Sequence, residues 1–287
     1  YPEKNSAGEK IDFPDDATWK KFGANSGLSR SDWRRRNVDI FMEQVYRAIK
    51  AEKPWVKFGI SPFGIWRPKN PPSINGFDAY EELYADARKW LREGWCDYFA
   101  PQLYWGIKPA STSFTTLLDW WESENPKQRH IWPGINSLNV GEKWQPDEII
   151  SQIEFTRRYS GPGHIHWSVM ALMKNKPLDQ ALLAQAYQQP ALIPASPWMS
   201  VATPATPELT ANTWRKTLHV RWKAGSGEKP AWWVLQVQDK GNWTTQILPA
   251  DRSDIYLDNA SPEAVAIRAV SRVGNLSEPA TWQGMKQ

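Results

Sequence analysis

An α/β unit built on parallel strands, followed by a smaller all-β sandwich, is the fold class that this chain of 287 residues predicts. Two patterns carry the prediction. Short strands centred on Phe58, Phe99, Trp132 and His166 stand 41, 33 and 34 residues apart, with a helical period between neighbours. That spacing suits one crossover helix for each parallel pair. After a proline-rich stretch the apolar period drops to two, with turn residues between short runs, which is the patterning of an antiparallel sandwich.

The elements follow in order. Ser31 is the expected N-cap of a helix whose apolar residues Val38, Phe41, Met42, Val45 and Ile49 recur at helical spacing until Lys53-Pro54 ends it. Arg34-Arg35-Arg36 is read as the solvated face of that helix. A strand over 56–61 leads through a proline-rich loop to a helix carrying Leu83, Ala87, Trp90 and Leu91, closed by Gly94 as a C′ glycine. The strand over 97–104 is followed by a helix with Phe114, Leu117, Leu118 and Trp121 on one face. The strand over 130–136 precedes a helix with Pro146 near N1 and Ile149, Ile150 and Ile153 within. A strand over 164–169 and a helix from about 178 to 187 complete the series. Doubly wound sheets and (β/α)8 barrels share this pattern.

Prolines 190, 194, 197, 204 and 207 mark a linker, and strands are expected at 218–222, 232–237, 244–248, 254–257 and 264–270. The domains are therefore placed at 1–190, 191–206 for the linker, and 207–287.

Composition narrows the function. Net charge is +4, with 35 basic and 31 acidic residues and no long basic run, so nucleic acid is not an expected partner. Cys96 is alone, which excludes an internal disulfide and suits a buried structural thiol. No apolar run reaches the length of a membrane span. No G-x-G-x-x-G, phosphate-loop or nucleophile-elbow motif occurs, so no cofactor is expected. The His164-x-His166 pair lacks a third ligand at suggestive spacing, so no metal is expected either. The 19 tryptophans are the outlier, and Trp66, Trp105 and Trp144 sit after strands or in turns, where flat rings suit the apolar faces of sugars.

Strand alternation separates two faces. Phe58, Ile60, Phe99, Leu103, Ile131, Ile135, Ile165 and Trp167 form the face expected under helices. Ser61, Gln102, Tyr104, Asn136, His166 and Ser168 form the other, and in a barrel they converge at one mouth, with Trp66, Arg67 and Trp105 in adjoining loops. Neutral donors and acceptors of this kind suit a polyol. Their alternative use is to satisfy one another inside a filled barrel. Carboxylates are missing from the mouth: Asp97 starts a strand at the wrong end, Asp78, Glu81 and Glu82 open a helix, and Glu142 alone has a route. Hydrolysis of a glycosidic bond calls for two.

The stretches 58–67 (FGISPFGIWR) and 97–105 (DYFAPQLYW), with the later 132–136 and 163–168, resemble the bacterial glycosyl-hydrolase-like family 10, and the likeness runs from Tyr1 to about Lys176. The resemblance implies a (β/α)8 barrel of glycoside-hydrolase type of which this chain carries strands five to eight, acting on or binding a poly- or oligosaccharide such as peptidoglycan glycan strands. It also implies an envelope or secreted location, although no signal peptide is legible here. Strands one to four, with the catalytic acids, are expected from the same precursor or from a second chain. A non-catalytic carbohydrate-binding protein is the alternative. The ending IRAVSRVGNLSEP over 267–279 resembles the last hairpin of a fibronectin type III domain.

Overall fold

The computed structural model describes residues 2–284 except 109, 200 and 259–261, so Tyr1, where the resemblance begins, and 285–287 lie outside the described residues. The chain forms two compact units, Tyr1–Gln188 and Gln189–Gln287.

In the first unit a short helix α1 (Asp16–Thr18) runs into a π-helical turn (Trp19–Gly23), and then comes the long helix α2 (Arg30–Glu52). Strand β1 (Gly59–Ile60) is followed by α3 (Ala79–Glu82) and α4 (Ala87–Glu93). Strand β2 (Tyr98–Phe99) leads to α5 (Phe114–Ser123). Strands β3 (His130–Ile131) and β4 (Gly134–Asn136) precede α6 (Pro146–Thr156). Strand β5 (Ile165–Trp167) precedes α7 (Val169–Lys174), α8 (Lys176–Ala181) and a π-helical turn (Leu182–Ala186).

Strands β1, β2 and β3 pair in parallel in that order, β4 pairs in parallel with β5, and a bridge from Gln102 to Gly134 joins the two groups. Strand order thus follows chain order. The core lies on one side of these strands: Ile60, Phe99, Leu103, Ile131 and Ile135 pack against Trp90, Leu91, Leu117, Trp121, Ile149 and Ile153 from the helices. Helix α5 buries all four of its expected apolar residues completely.

Local chemistry moves several boundaries. The N-cap of α2 is Ser29 and not Ser31: its side chain accepts from the Asp32 N–H. The helix expected to carry Leu83 through Leu91 is broken, because Tyr84 takes φ 53° and a new helix starts under the Asp86 cap. Gly94 ends α4 at φ 74°, the left-handed conformation expected of a C′ glycine. Phe41, expected in the core, is exposed. The arginine run is not a solvated face. Arg34 and Arg35 are buried while Arg36 is exposed. Arg34 makes ion pairs with Asp15 (2.6 Å) and Asp12 (2.8 Å), and Arg34 together with Arg30 holds the Asp15 carboxyl well below the usual carboxylate range. Arg35 lies 3.5 Å from the centre of the Tyr80 ring. The partners come from distant stretches of chain, out of reach of a local reading.

The second unit is a sandwich of the fibronectin type III kind. One sheet orders β10 (Asp254–Asp258), β7 (Thr217–Lys223) and β6 (Glu208–Trp214). The other orders β12 (Ala280–Gln283), β11 (Ala264–Val270), β8 (Trp232–Asp239) and β9 (Asn242–Pro249). Leu218, Val220 and Trp222 meet Trp233, Leu235, Val265 and Ile267 between the sheets, each at every second position of its strand. Strands β6 and β12 are additional to the five that the apolar period marks.

Candidate functional site

Residues paired in register on neighbouring parallel strands point to the same side of the sheet. Ile60 pairs with Phe99, Phe99 with Ile131, and Ile135 with His166. Those residues mark the helix-covered side. Gly59 pairs with Tyr98, Gln102 bridges to Phe63 and Gly134, Gly134 pairs with Ile165, and Asn136 pairs with Trp167. This second side carries the mouth at its C-terminal end.

Within the mouth, the Gln102 amide Nε2 donates to the Ser61 carbonyl at 3.3 Å. Tyr104 lies across the sheet over Gly134, where a Cβ would come within 3.0 Å of its ring. The glycine thus sets the ring's height. Tyr104 and Trp167 stack with centroids 6.1 Å apart and planes at 29°. Trp105 closes the rim edge-on against Phe63 at 5.8 Å. Deeper along the strands Tyr98 stacks on Trp132 at 4.8 Å. Asn136 Oδ1 is enclosed without a hydrogen-bond partner. Trp167 is 53 % exposed and Ile165 41 %, so much of this side is bare. None of these mouth positions is Asp or Glu.

The structure therefore brings Ser61, Gln102, Tyr104, Trp105 and Asn136 to one end of the sheet, and it moves four other expected residues elsewhere. His166 lies on the helix side. Its Nδ1 meets Ser137 Oγ at 2.6 Å and its Nε2 meets Tyr187 Oη at 2.6 Å, while His164 Nε2 meets the same hydroxyl at 2.5 Å. A hydroxyl carries one proton, so one imidazole donates to Tyr187 and the other accepts. Burial pushes the His164 imidazole down to about 3 and the Tyr187 phenol up to about 12, and it lowers His166 too. The His pair is a neutral clasp between β5 and the turn after α8. Among the described residues no cluster of three or more His, Cys, Asp or Glu is placed to hold a metal ion. Ser168 starts α7 as its N-cap residue, beyond the end of β5.

Trp66 and Arg67 are also displaced, into the helix layer. Trp66 stacks on Trp120 at 5.9 Å and donates its indole N–H to Asp86 at 3.1 Å. Arg67 pairs with Glu81 at 3.1 Å and Asp78 at 3.4 Å. The acids that open α3 and α4 supply those partners, which explains why the loop turns outwards.

Trp167 is the mouth residue that the sequence reading assigns to the wrong side. Both sets of alternate residues on this strand are bulky, so size alone does not tell its faces apart. The acids elsewhere are accounted for. Asp97 is fully buried at the start of β2, ion-paired with Lys50 and accepting from the Phe58 N–H at 2.8 Å. Glu148 accepts from the Ile107 N–H at 2.8 Å and pins the rim loop. Burial, aided by Asp119, pushes Glu122 up to about 7. It sits in the last turn of α5, which runs away from the C-terminal ends of the strands. Glu142 is exposed in the loop after β4.

The sequence profile of the glycosyl hydrolase-like 10 family matches residues 2–150. Glycosyl hydrolase YngK of Bacillus subtilis is 38 % identical over 226 residues, covering 74 % of this chain and 44 % of the relative. Glycosyl hydrolase DigH of Escherichia coli K12 is 36 % identical over 158 residues, covering 53 % and 35 %. The chain thus spans less than half the length of these curated relatives. Among solved structures, the fn3 domain of human collagen alpha-1(XX) matches 30 % of this chain and 87 % of its own at TM-score 0.25 and 22 % identity. The Clostridium perfringens spore cortex lytic enzyme SleM matches 66 % of each chain at TM-score 0.27 and 12 % identity.

Proposed function

Because the chain belongs to the glycosyl hydrolase-like 10 family, we propose that its α/β unit binds and orients a polysaccharide whose glycosidic bond is cut by carboxylates carried on other strands. The observation that supports this is the mouth itself: amide, hydroxyl and aromatic groups at one sheet end, with no acid among them. Stacked rings offer faces to sugar C–H surfaces, and the Gln102 amide offers both donor and acceptor to hydroxyls. Two carboxylates flanking the bond would supply acid and base or nucleophile.

Further strands, from the same or a second polypeptide, would close the sheet. Strands β1 and β5 are its two edges among the described residues, and the side bearing Ile165 and Trp167 is uncovered by helices. Open edges and bare aromatic surface call for cover. Peptidoglycan glycan strands are the substrate we favour, in the bacterial envelope or outside the cell. No helix among the described residues is long and apolar enough to cross a membrane.

The test is release of reducing ends from purified glycan strands by the native protein. Gln102→Ala is expected to lower turnover about tenfold with the fold intact, the loss of roughly one well-placed hydrogen bond and its ordering effect. A non-catalytic binder is the second reading, favoured by the acid-free mouth. Retention of glycan with no release of ends by the native protein would select it.

A further inference from the structure

We propose that the outer face of the four-stranded sheet in the sandwich is a second polysaccharide contact, anchored by Trp232 and Trp243. The inference rests on the preceding reading for the class of ligand, and on a different surface for its evidence. Strand register sorts the residues of this sheet. Trp233, Leu235, Val237, Val265 and Ile267 turn inward to the core. The alternate positions therefore turn out: Gln238 opposite Trp243, Gln236 opposite Thr245, and Thr281 and Gln283 opposite Ala266 and Ala264. Trp232 is 48 % exposed and Trp243 50 %.

The near-neutrality of this face is specific. Among the described residues of its strands the one charged outward position is Arg268, which donates to the Ser277 carbonyl at 2.8 Å, and Arg272 lines the cleft at the Trp232 end. The outer face of the three-stranded sheet is the opposite: Lys223 pairs with Glu208 at 2.7 Å and His219 with Asp254 at 2.9 Å, beside Arg221. An indole lies at each end of the neutral face. Trp232 and Gln238 are on one strand, so the strand rise puts the two indoles ~20 Å apart along it, with Val234 opposite Ile247 next to Trp232 and the amides and hydroxyls of Gln236, Thr245 and Thr281 beyond. At the Trp232 end, Pro190 and Ile193 of the linker wall a cleft of about 300 Å³ floored by Trp232, Ile247 and Val270. A protein partner favours an apolar anchor at the centre of the patch with a polar rim. Here the aliphatic pair Val234 and Ile247 lies towards the Trp232 end, amides and hydroxyls with two alanines fill the rest of the middle, and an indole stands at each end, which fits an extended, uncharged polymer. Nucleic acid would demand a stripe of cations, where this face has Arg268, held to a carbonyl, and Arg272 at one end.

The test is co-sedimentation of the full chain with purified, insoluble peptidoglycan sacculi, alongside binding of soluble glycan fragments. Trp243→Ala and Gln238→Ala are expected to weaken sedimentation about fivefold while leaving soluble-fragment binding by the α/β unit unchanged. Both variants sedimenting like the wild type, with soluble fragments still bound, would overturn the sandwich site alone. A wild-type chain that binds neither sacculi nor fragments would overturn this site and the preceding reading together.

Discussion

Trp167 and His166 are adjacent, yet they do opposite work. Trp167 shares its side with Asn136 and stacks on Tyr104, whereas His166 shares its side with Ile135 and clasps Ser137 and Tyr187. His166→Ala should therefore leave glycan binding unchanged and cost about 1–2 kcal/mol of stability, read by chemical denaturation, because Ser137 is fully buried and loses its partner. The clasp also sets a pH dependence. The His164 imidazole ionises near 6.5 when unfolded and near 3 in the fold. Its neutral form is the one the fold holds, so this contribution is full above about pH 6.5 and is lost as pH falls towards 3. His164→Asn should flatten the stability profile between pH 6.5 and 4, and an unchanged slope would place the dependence elsewhere. Asp97 belongs to the same scale. Asp97→Ala takes the ion-pair partner from Lys50, which keeps the Val56 carbonyl, and leaves the Phe58 N–H unpaired beside a fully buried position; it should cost about 3 kcal/mol. Ser61, Gln102, Tyr104 and Asn136 were legible as a neutral set because they alternate with clear core residues. Ser168, Trp66 and Arg67 were not, since cap acids and loop direction decide where they point.

Helices were the most legible elements. Their apolar periods and caps are local, as in α5, where Ser113 caps and Phe114, Leu117, Leu118 and Trp121 are all buried. Gly94 is a further local signal with a testable cost. Gly94→Ala places a Cβ at φ 74° within 3.0 Å of the Arg129 guanidinium, and should lower stability by about 1 kcal/mol or more in thermal denaturation. Strands were legible as positions but not as lengths. Pro133 has no N–H to give, and the stretch read as one strand over 130–136 pairs as two short pieces. Bulk misassigns the faces of β5, because it marks a buried side only where the other side is small. The burial of Arg34 and Arg35 could not be foreseen from a run of like charges, since Asp12, Asp15 and Tyr80 reach them only in the folded chain.

At the scale of the whole molecule, two units with separate cores carry two neutral, aromatic surfaces. The strand order of the first unit follows the chain without reversal, and the large buried apolar residues of its strands pack under the helices on one side. Such a wall is stable as part of a closed barrel and exposed as an open sheet. Native mass with N-terminal sequencing should accordingly show a longer chain or a tightly held partner. A stable, well-behaved monomer of 33.0 kDa would contradict the proposed closure.

The most direct measurement is the affinity of the native protein for soluble glycan fragments, compared with Trp167→Ala and His166→Ala. With sugar held on the side that Asn136 and Trp167 share, the indole truncation weakens binding about tenfold and the imidazole truncation leaves it alone. Equal affinity for all three proteins, or a loss confined to His166→Ala, would contradict it.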